Sequence, residues 1–428
     1  MKTQSFRAKL LGRSTFMLAS AVVVAAWAGV AAAATPGGDW IGTWAASAQP
    51  IWDADFPVPL NMPRNLWNQT VRQIARVSVG GKSVRVVLSN EYGDRPLVIG
   101  SAHVALAGSG GAAIDGASDH ALTFGGLASV TVPPGAPIVS DPVDLTVPAL
   151  GSLAVSLFLP ETTPLSTVHW EGVQTAYIVG GDHTGDADIK ADSTMKARAF
   201  LSEILVDAPS DGRALVLFGD SITDGANSKP DMNHRWPDVL AERLQKEGDP
   251  HASVVNQGIS GARVLTDRMG ANALARFDRD VLSQPRLSTV VLMMGINDIG
   301  WPGCALAPNE PEPTAEAIIA GYKQLIDRAH MRGVRIVGAT LTPFEDTFKG
   351  LPFEGYYNES KEQMRAAVNA FIRGGAFDGV IDFDAATRDP ANPKHILAKF
   401  DSGDHLHPQD DGYRAMAESI DLKTLLSN

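Results

Sequence analysis

Cysteine is almost absent from this 428-residue chain: Cys304 stands alone, which excludes an intramolecular disulfide, a cage of several thiolates around zinc and a CxxC redox pair. Basic charge is short as well. Acidic side chains outnumber lysine and arginine, 48 to 36, for a net charge of −12. Residues 1–34 contain Lys2, Arg7, Lys9 and Arg13 and no acid, so without them the chain is more acidic still. Such a surface is a poor match for nucleic acid or an anionic membrane, and neither partner is expected. Beyond the first forty residues no apolar run is long enough to span a bilayer. Glycine and proline (41 and 27) are enough for many turns but too few for a low-complexity chain. A hydrophobic fraction of 44% supplies a core without disulfides, and the length allows two or three domains.

The first residues read as an address. A basic stretch through Arg13 precedes an apolar one from Ser14, which ends in Ala31 to Ala34 before Thr35 and Pro36. Basic start, apolar middle and small-residue end describe a Sec-type signal peptide over 1–34, cleaved near Ala33 or Ala34. No Arg-Arg pair suggests twin-arginine export, and no cysteine near the cleavage site suggests a lipid anchor. The alternative is an uncleaved anchor. The expectation is a secreted or periplasmic protein with no stable membrane association after cleavage.

Two patterns divide the remainder. Residues 35–208 carry short β-branched runs separated by Pro, Gly and Asp, with no helical period. The runs TVRQIARVSV and KSVRVVLSN flank Gly80-Gly81 and predict a hairpin; further strands are expected over 97–106, 128–132, 143–147, 153–159 and 175–179. This predicts an all-β sandwich or jelly-roll module. Residues 209–428 alternate instead. Apolar strands over 214–218, 253–256, 288–294, 334–340 and 380–383 are interleaved with helical faces such as Trp236/Val239/Leu240/Leu244 and Ile318/Tyr322/Leu325/Ala329. That is an α/β pattern with a mainly parallel sheet, whose ligands sit at the carboxyl ends of its strands.

Those strand ends hold the chemistry. The first runs into Gly219-Asp220-Ser221-Ile222-Thr223-Asp224-Gly225, the second into Asn256-Gln257-Gly258-Ile259-Ser260-Gly261, the third into Gly295-Ile296-Asn297-Asp298; Asp404-His405-Leu406-His407-Pro408 follows near the C-terminus. Serine is a weak nucleophile until a base takes its proton. His407 titrates in the range for that task, and Asp404, three residues earlier, can orient its ring. Attack on an acyl carbon creates an oxyanion, for which the Ser221 amide, the Gly258 amide and the Asn297 side chain are the candidate donors. Taken singly, Ser221 is an N-cap, Gly258 a turn glycine and Asn297-Asp298 a capping pair. Ser260 competes as nucleophile but has no base at fixed offset. His405, His407 and Asp404 would suit a metal, yet no second His or Cys cluster supports one, and neither metal nor cofactor is expected.

The four blocks in this order resemble the SGNH (GDSL-type) hydrolase superfamily through Ser221, Gly258, Asn297 and His407, with Asp404 completing the triad and Ile222 standing where the family name implies Leu. The resemblance covers residues 214–425. It implies a three-layer flavodoxin-like α/β fold, metal-free ester hydrolysis and an acyl-enzyme intermediate. RWPDVLAERL, TLTPF and the β-rich extension are similar to a secreted bacterial branch that includes arylesterases and acetylated-xylan esterases. The implied activity is a serine esterase acting on short acyl esters, acetylated carbohydrate foremost. The alternatives are a lipase or arylesterase on other esters, a sugar O-acyltransferase, and a glycan-binding protein with a vestigial site. Trp40, Trp44, Trp52, Trp67 and Trp170 are core aromatics or sugar platforms. Asp224 is expected to make a structural hydrogen bond, Cys304 to be an inert loop thiol, and the proline-rich loop 302–313 to wall the pocket.

Overall fold

The structure is a computed structural model and describes residues 40–427; the leader assigned to 1–34 lies outside them. The described residues pack as one compact unit. Its N-terminal part is built chiefly on two antiparallel sheets. One is built around β1 (Trp40–Ala45), β3 (Val84–Ser89) and β8 (Leu201–Asp207), with β8 in the middle. The other contains β2 (Gln69–Arg76), β4 (Ser101–Leu106), β5 (Ser152–Leu159) and β7 (Ala176–Gly180), with β2 paired to both β5 and β7. Alternate residues of each strand point the same way, so both sheets present apolar rows to one shared core. Ile41, Val86, Leu88 and Ile204 come to it from the first sheet and Val71, Val104, Val155 and Ile178 from the second.

Two local expectations fail here. The runs flanking Gly80-Gly81 do not form a hairpin: β2 and β3 belong to different sheets. The glycine pair is a crossover, held by paired backbone hydrogen bonds between Gly81 and Val147 at 2.9 and 3.0 Å. Residues 143–147 make only isolated bridges, to Gly81 and Val84, rather than a strand. Strand β8, which the sequence reading leaves out, closes the first sheet by pairing with β1 and β3.

The C-terminal half follows the alternating pattern. Strands β9 (Arg213–Gly219), β10 (Ala252–Asn256), β11 (Leu287–Met293), β12 (Arg335–Ala339) and β13 (Gly379–Ile381) form a parallel sheet in the order β10-β9-β11-β12-β13. Numbered within this sheet the order is 2-1-3-4-5, a doubly wound arrangement whose switch point falls between the first and third strands. Strand alternation explains why both faces are covered. Leu215, Leu217, Val291 and Val337 face one way, onto Trp236 and Leu240 of α2 (Trp236–Glu247) and Tyr413 and Met416 of α6 (Asp410–Ser419). Val216, Phe218, Val290, Leu292 and Ile336 face the other way, onto α4 (Ala315–His330) and α5 (Glu359–Arg373). Two shorter helices matter for the site: α1 (Ser221–Asp224), directly after β9, and α3 (Ile296–Gly300), directly after β11. The β-rich part joins this sheet by polar contacts as well as packing. Ser78 Oγ accepts from the Val254 amide at 3.0 Å, and Gln49 donates to the Met269 carbonyl at 2.6 Å.

Candidate active site

Strand β9 ends at Gly219, and the Asp220 side chain stops it by accepting from the Ile222 amide at 3.1 Å, which starts the single turn of α1. Ser221 is the first residue of that turn, so its own amide is one of the donors that a helix start leaves unpaired. Arg276, fully buried, donates to the Gly219 carbonyl at 3.0 Å and the Gln257 carbonyl at 2.9 Å, tying the ends of β9 and β10 together. Burial pushes the Asp220 carboxyl up to about 7, against the Ile222 amide and the nearby His407 and Arg276, which favour its charge.

Ser221, His407 and Asp404 meet in one hydrogen-bonded chain. Ser221 Oγ lies 2.8 Å from His407 Nε2, and His407 Nδ1 lies 2.6 Å from Asp404 Oδ2. The other Asp404 oxygen accepts the amides of Leu406 and His407 at 2.9 and 2.8 Å, and Asn227 donates to Oδ2 at 2.8 Å. Burial opposes the Asp404 charge, but His407 and these amides outweigh it and hold the carboxyl far below the usual carboxylate range. A carboxylate there accepts from Nδ1, which leaves Nε2 to receive the serine proton. Burial likewise opposes a charge on His407, yet Asp404 outweighs it, with help from Asp220 and Glu171, so the imidazole stands above its ordinary 6.5.

Asn297 sits in the first turn of α3. Its Oδ1 accepts from Trp301 Nε1 at 2.9 Å and Tyr356 Oη at 2.8 Å, while Nδ2 donates to the Ala262 carbonyl at 3.0 Å. Three partners fix the amide's orientation and leave one N–H for the cleft that Asn297 lines. Asp298 beside it holds the facing loop, accepting from the Val264 and Leu265 amides at 2.7 and 2.9 Å. Burial raises its carboxyl to about 6 in spite of those two donors.

Gly258 is a correction. Its amide donates to Asn256 Oδ1 at 2.9 Å in an Asx-type turn and is not offered to the cleft. A Cβ here would stand 2.4 Å from the Asp224 backbone nitrogen, so this glycine exists to let the loop lie against the nucleophile turn. The glycine that lines the cleft is Gly261, at φ +78°, a left-handed conformation that glycine adopts without strain. Its amide makes no hydrogen bond to a described residue.

Asp224 does more than cap. Its Oδ2 accepts from the Ser260 amide at 2.9 Å and from Ser260 Oγ at 3.0 Å; its Oδ1 accepts from His169 Nε2 at 2.9 Å. His169 belongs to β6 (Thr167–His169) of the N-terminal part, and its Nδ1 faces the Ser47 carbonyl at 3.1 Å. The β-rich residues thus reach the loop that carries Gly261. Ser260 is spent as a hydrogen-bond donor in this relay and has no histidine partner. His405 is bonded to Asp401, which separates it from His407 and from any shared ligand set.

The cleft above Ser221 is walled mainly by apolar groups, among them Trp170, Met269, Trp301, Leu306, Phe348 and Tyr356. Of the tryptophans singled out above, Trp44 and Trp52 are buried in cores, Trp67 is exposed, and Trp170 lines the cleft, edge-on to Trp52 at 5.5 Å. From the proline-rich loop only Leu306 reaches the cleft, and Cys304 is buried among apolar side chains. Sequence reading missed Glu171, which also lines the cleft. No motif marks it: the stretch His169-Trp170-Glu171 has no spacing relation to the Ser221 or His407 blocks.

The model of the GDSL-like lipase/acylhydrolase family matches residues 217–415. Among solved structures, a carbohydrate acetylesterase family member from Sinorhizobium meliloti is 20% identical, over 48% of this chain and 94% of that one, with a TM-score of 0.36. An aryl esterase of M. smegmatis is 17% identical over 49% and 96%, with a TM-score of 0.38. An acetyl xylan esterase is 20% identical over 48% and 96%, with a TM-score of 0.35. No curated protein matches the sequence.

Proposed function

We propose that the GDSL-like lipase/acylhydrolase domain of this chain, a carboxylic ester hydrolase, removes short acyl groups, acetyl foremost, from carbohydrate esters outside the cytoplasm, using Ser221, His407 and Asp404. The observation that carries the reading is the unbroken chain Ser221 Oγ–His407 Nε2 at 2.8 Å and His407 Nδ1–Asp404 Oδ2 at 2.6 Å, at the edge of an apolar cleft. His407 Nε2 takes the Ser221 proton as Oγ attacks the ester carbon. The carbonyl oxygen becomes an oxyanion, met by the amides of Ser221 and Gly261 and by Asn297 Nδ2. As the tetrahedral species collapses, the carbon–oxygen bond to the alcohol breaks and His407 returns its proton to the departing oxygen. An acyl group is left on Ser221. Water then loses a proton to His407 and attacks the acyl carbon, which frees the acid and restores the serine. Asp404 stays ionised throughout, holding the ring and stabilising the transient imidazolium.

Trp301 and Tyr356, buried behind Asn297, wall the cleft beside the oxyanion donors, which supports the short-chain reading. The leader read over 1–34 supports export. The largely apolar wall favours a second reading, an esterase for aryl alcohols. The test is hydrolysis of p-nitrophenyl esters from acetate to decanoate by the protein and by Ser221→Ala. Rates that fall with chain length, and that drop about 10⁴-fold or more in the variant, are expected. Equal rates in both proteins would refute Ser221 as nucleophile, and a preference for decanoate would refute the short-chain reading. N-terminal sequencing of the exported protein tests the leader, with a start at residue 34 or 35 expected.

A further inference from the structure

The mechanism leaves one ionisable group of the cleft unused. Glu171 follows a rigid strand end. His169 is held on both ring nitrogens, by the Ser47 carbonyl and by Asp224. The Trp170 amide donates to Gln49 Oε1 at 2.8 Å, and its ring N–H donates to the Leu60 carbonyl at 3.0 Å. The chain thereby delivers the next carboxyl into the cleft that contains Ser221 and His407. Among the described residues none hydrogen-bonds to it. A carboxyl on a cleft wall with no partner among the described side chains has its oxygens available to whatever occupies the cleft.

Its position relative to the reaction follows from the cleft it shares with His407 and Ser221. Each of Glu171 and His407 favours the charge on the other. His407 hands its proton to the departing alcohol, so the alcohol portion of the ester leaves through the cleft that Glu171 walls. The groups that bear on Glu171 are Asp224, which repels its charge, and Lys196, His169 and His407, which favour it. Burial and Asp224 prevail and push the carboxyl up to about 7. Near neutral pH both the acid and the carboxylate are populated, so the group can donate to and accept from a hydroxyl, which does both itself. Trp170 supplies an apolar face directly beside it, as the ring of a sugar needs.

We propose that Glu171 is a specificity-determining residue that hydrogen-bonds a hydroxyl of the departing alcohol, so that the enzyme favours acetyl esters of sugars and polyols over esters whose alcohol lacks a neighbouring hydroxyl. This rests on the ester-hydrolase reading of Ser221 and His407 and assigns that site its alcohol selectivity. The β-rich N-terminal residues, which contain no group that reacts, then choose the substrate.

The experiment compares kcat/KM for 6-O-acetylglucose and for p-nitrophenyl acetate, which give the same acetyl-enzyme, in the protein and in Glu171→Leu and Glu171→Gln. Glu171→Leu is expected to lose about ten- to a hundredfold on the sugar ester, the worth of a hydrogen bond to a charged group, with less than about threefold change on p-nitrophenyl acetate. Glu171→Gln, which still donates and accepts, should retain most of the sugar-ester rate. In both variants the upper part of the acidic limb of the p-nitrophenyl acetate profile, where Glu171 is partly ionised, should move to lower pH, because a negative charge that raises His407 is gone. Equal losses on the two substrates, or no loss on the sugar ester, would overturn the proposal. So would a wild-type protein that hydrolyses p-nitrophenyl acetate but not the sugar ester, a result that leaves the esterase reading standing. Failure on both substrates by the wild type would overturn that reading and this proposal with it.

Discussion

Asp224 offers the sharpest test of how the two halves of the chain build one site. Its carboxylate, 1% exposed, is the common acceptor for the Ser260 amide, Ser260 Oγ and His169 Nε2. Asp224→Ala leaves two buried groups without their partner, the Ser260 amide and His169 Nε2, while the serine hydroxyl can rotate elsewhere. At about 1–3 kcal/mol for each unsatisfied group the loss is about 2–6 kcal/mol. That is a large share of a typical stability of about 5–15 kcal/mol. With an m-value of about 3 kcal/mol/M the urea midpoint should fall by about 0.7–2 M. Activity should fall further than stability suggests, because Ser260 precedes Gly261, and a displaced oxyanion donor costs about 10²–10³ in kcat. Asp224→Asn behaves differently. Its Oδ1 can still accept from Ser260, and its NH₂ can donate to Nε2 of a His169 ring whose Nδ1–H remains on Ser47. Its midpoint should stay within about 1 kcal/mol of wild type, the worth of one ordinary hydrogen bond. The reasoning fails if Asp224→Ala is as stable as wild type, or if Asn loses as much as Ala; the second result would mean that charge, not hydrogen-bond count, is what Asp224 supplies.

Asn297→Ala should lower kcat by about 10²–10³ with KM little changed, since its N–H engages the oxyanion more than the ground-state carbonyl; steady-state kinetics on p-nitrophenyl acetate check this. The pH profile has a definite sign: His407 acts when neutral and stands above 6.5, so the rate should still be climbing through pH 7 as the ring loses its proton. A profile already flat at pH 6 would refute that assignment. Gly258→Ala should destabilise by about 1–3 kcal/mol and impair turnover, because its Cβ meets backbone rather than a movable side chain; urea unfolding measures the first effect and kcat the second.

The C-terminal half was the more legible one, for a physical reason. A parallel sheet buried on both faces requires near-continuous apolar strands separated by amphipathic helices, and both signals are local. Residues 213–219, 252–256 and 287–293 accordingly form strands within a residue of their expected bounds at every end. The antiparallel part was harder. Gly80-Gly81 has the composition of a two-residue hairpin turn, but whether the chain doubles back or crosses to another sheet depends on residue 147, far along the chain. Strand β8 pairs with β1 across more than 150 residues, and nothing local to LSEILVD announces that partner.

The site divides along the same line. Ser221 and Asn297 lie where strands end and His407 in the loop before α6, so the order of blocks along the sequence becomes an order around one rim, and each side chain could be assigned before any distance was known. The glycine could not, because the two candidates are told apart by what their amides meet in the fold: that of Gly258 meets Asn256 Oδ1, two residues away, and that of Gly261 meets no described residue. Glu171 lay further out of reach. Its role depends on a strand of the N-terminal part being pinned by Asp224 of the nucleophile turn, a contact between residues 55 apart in sequence. A reaction that needs the same serine, base and oxyanion donors whatever the alcohol can be encoded in compact blocks. Selection of the alcohol requires only one group at the right edge of the cleft, supplied from any part of the chain that packs there. It therefore leaves no motif, and a place on the cleft wall beside Trp170 and a shared field with His407 are what reveal it.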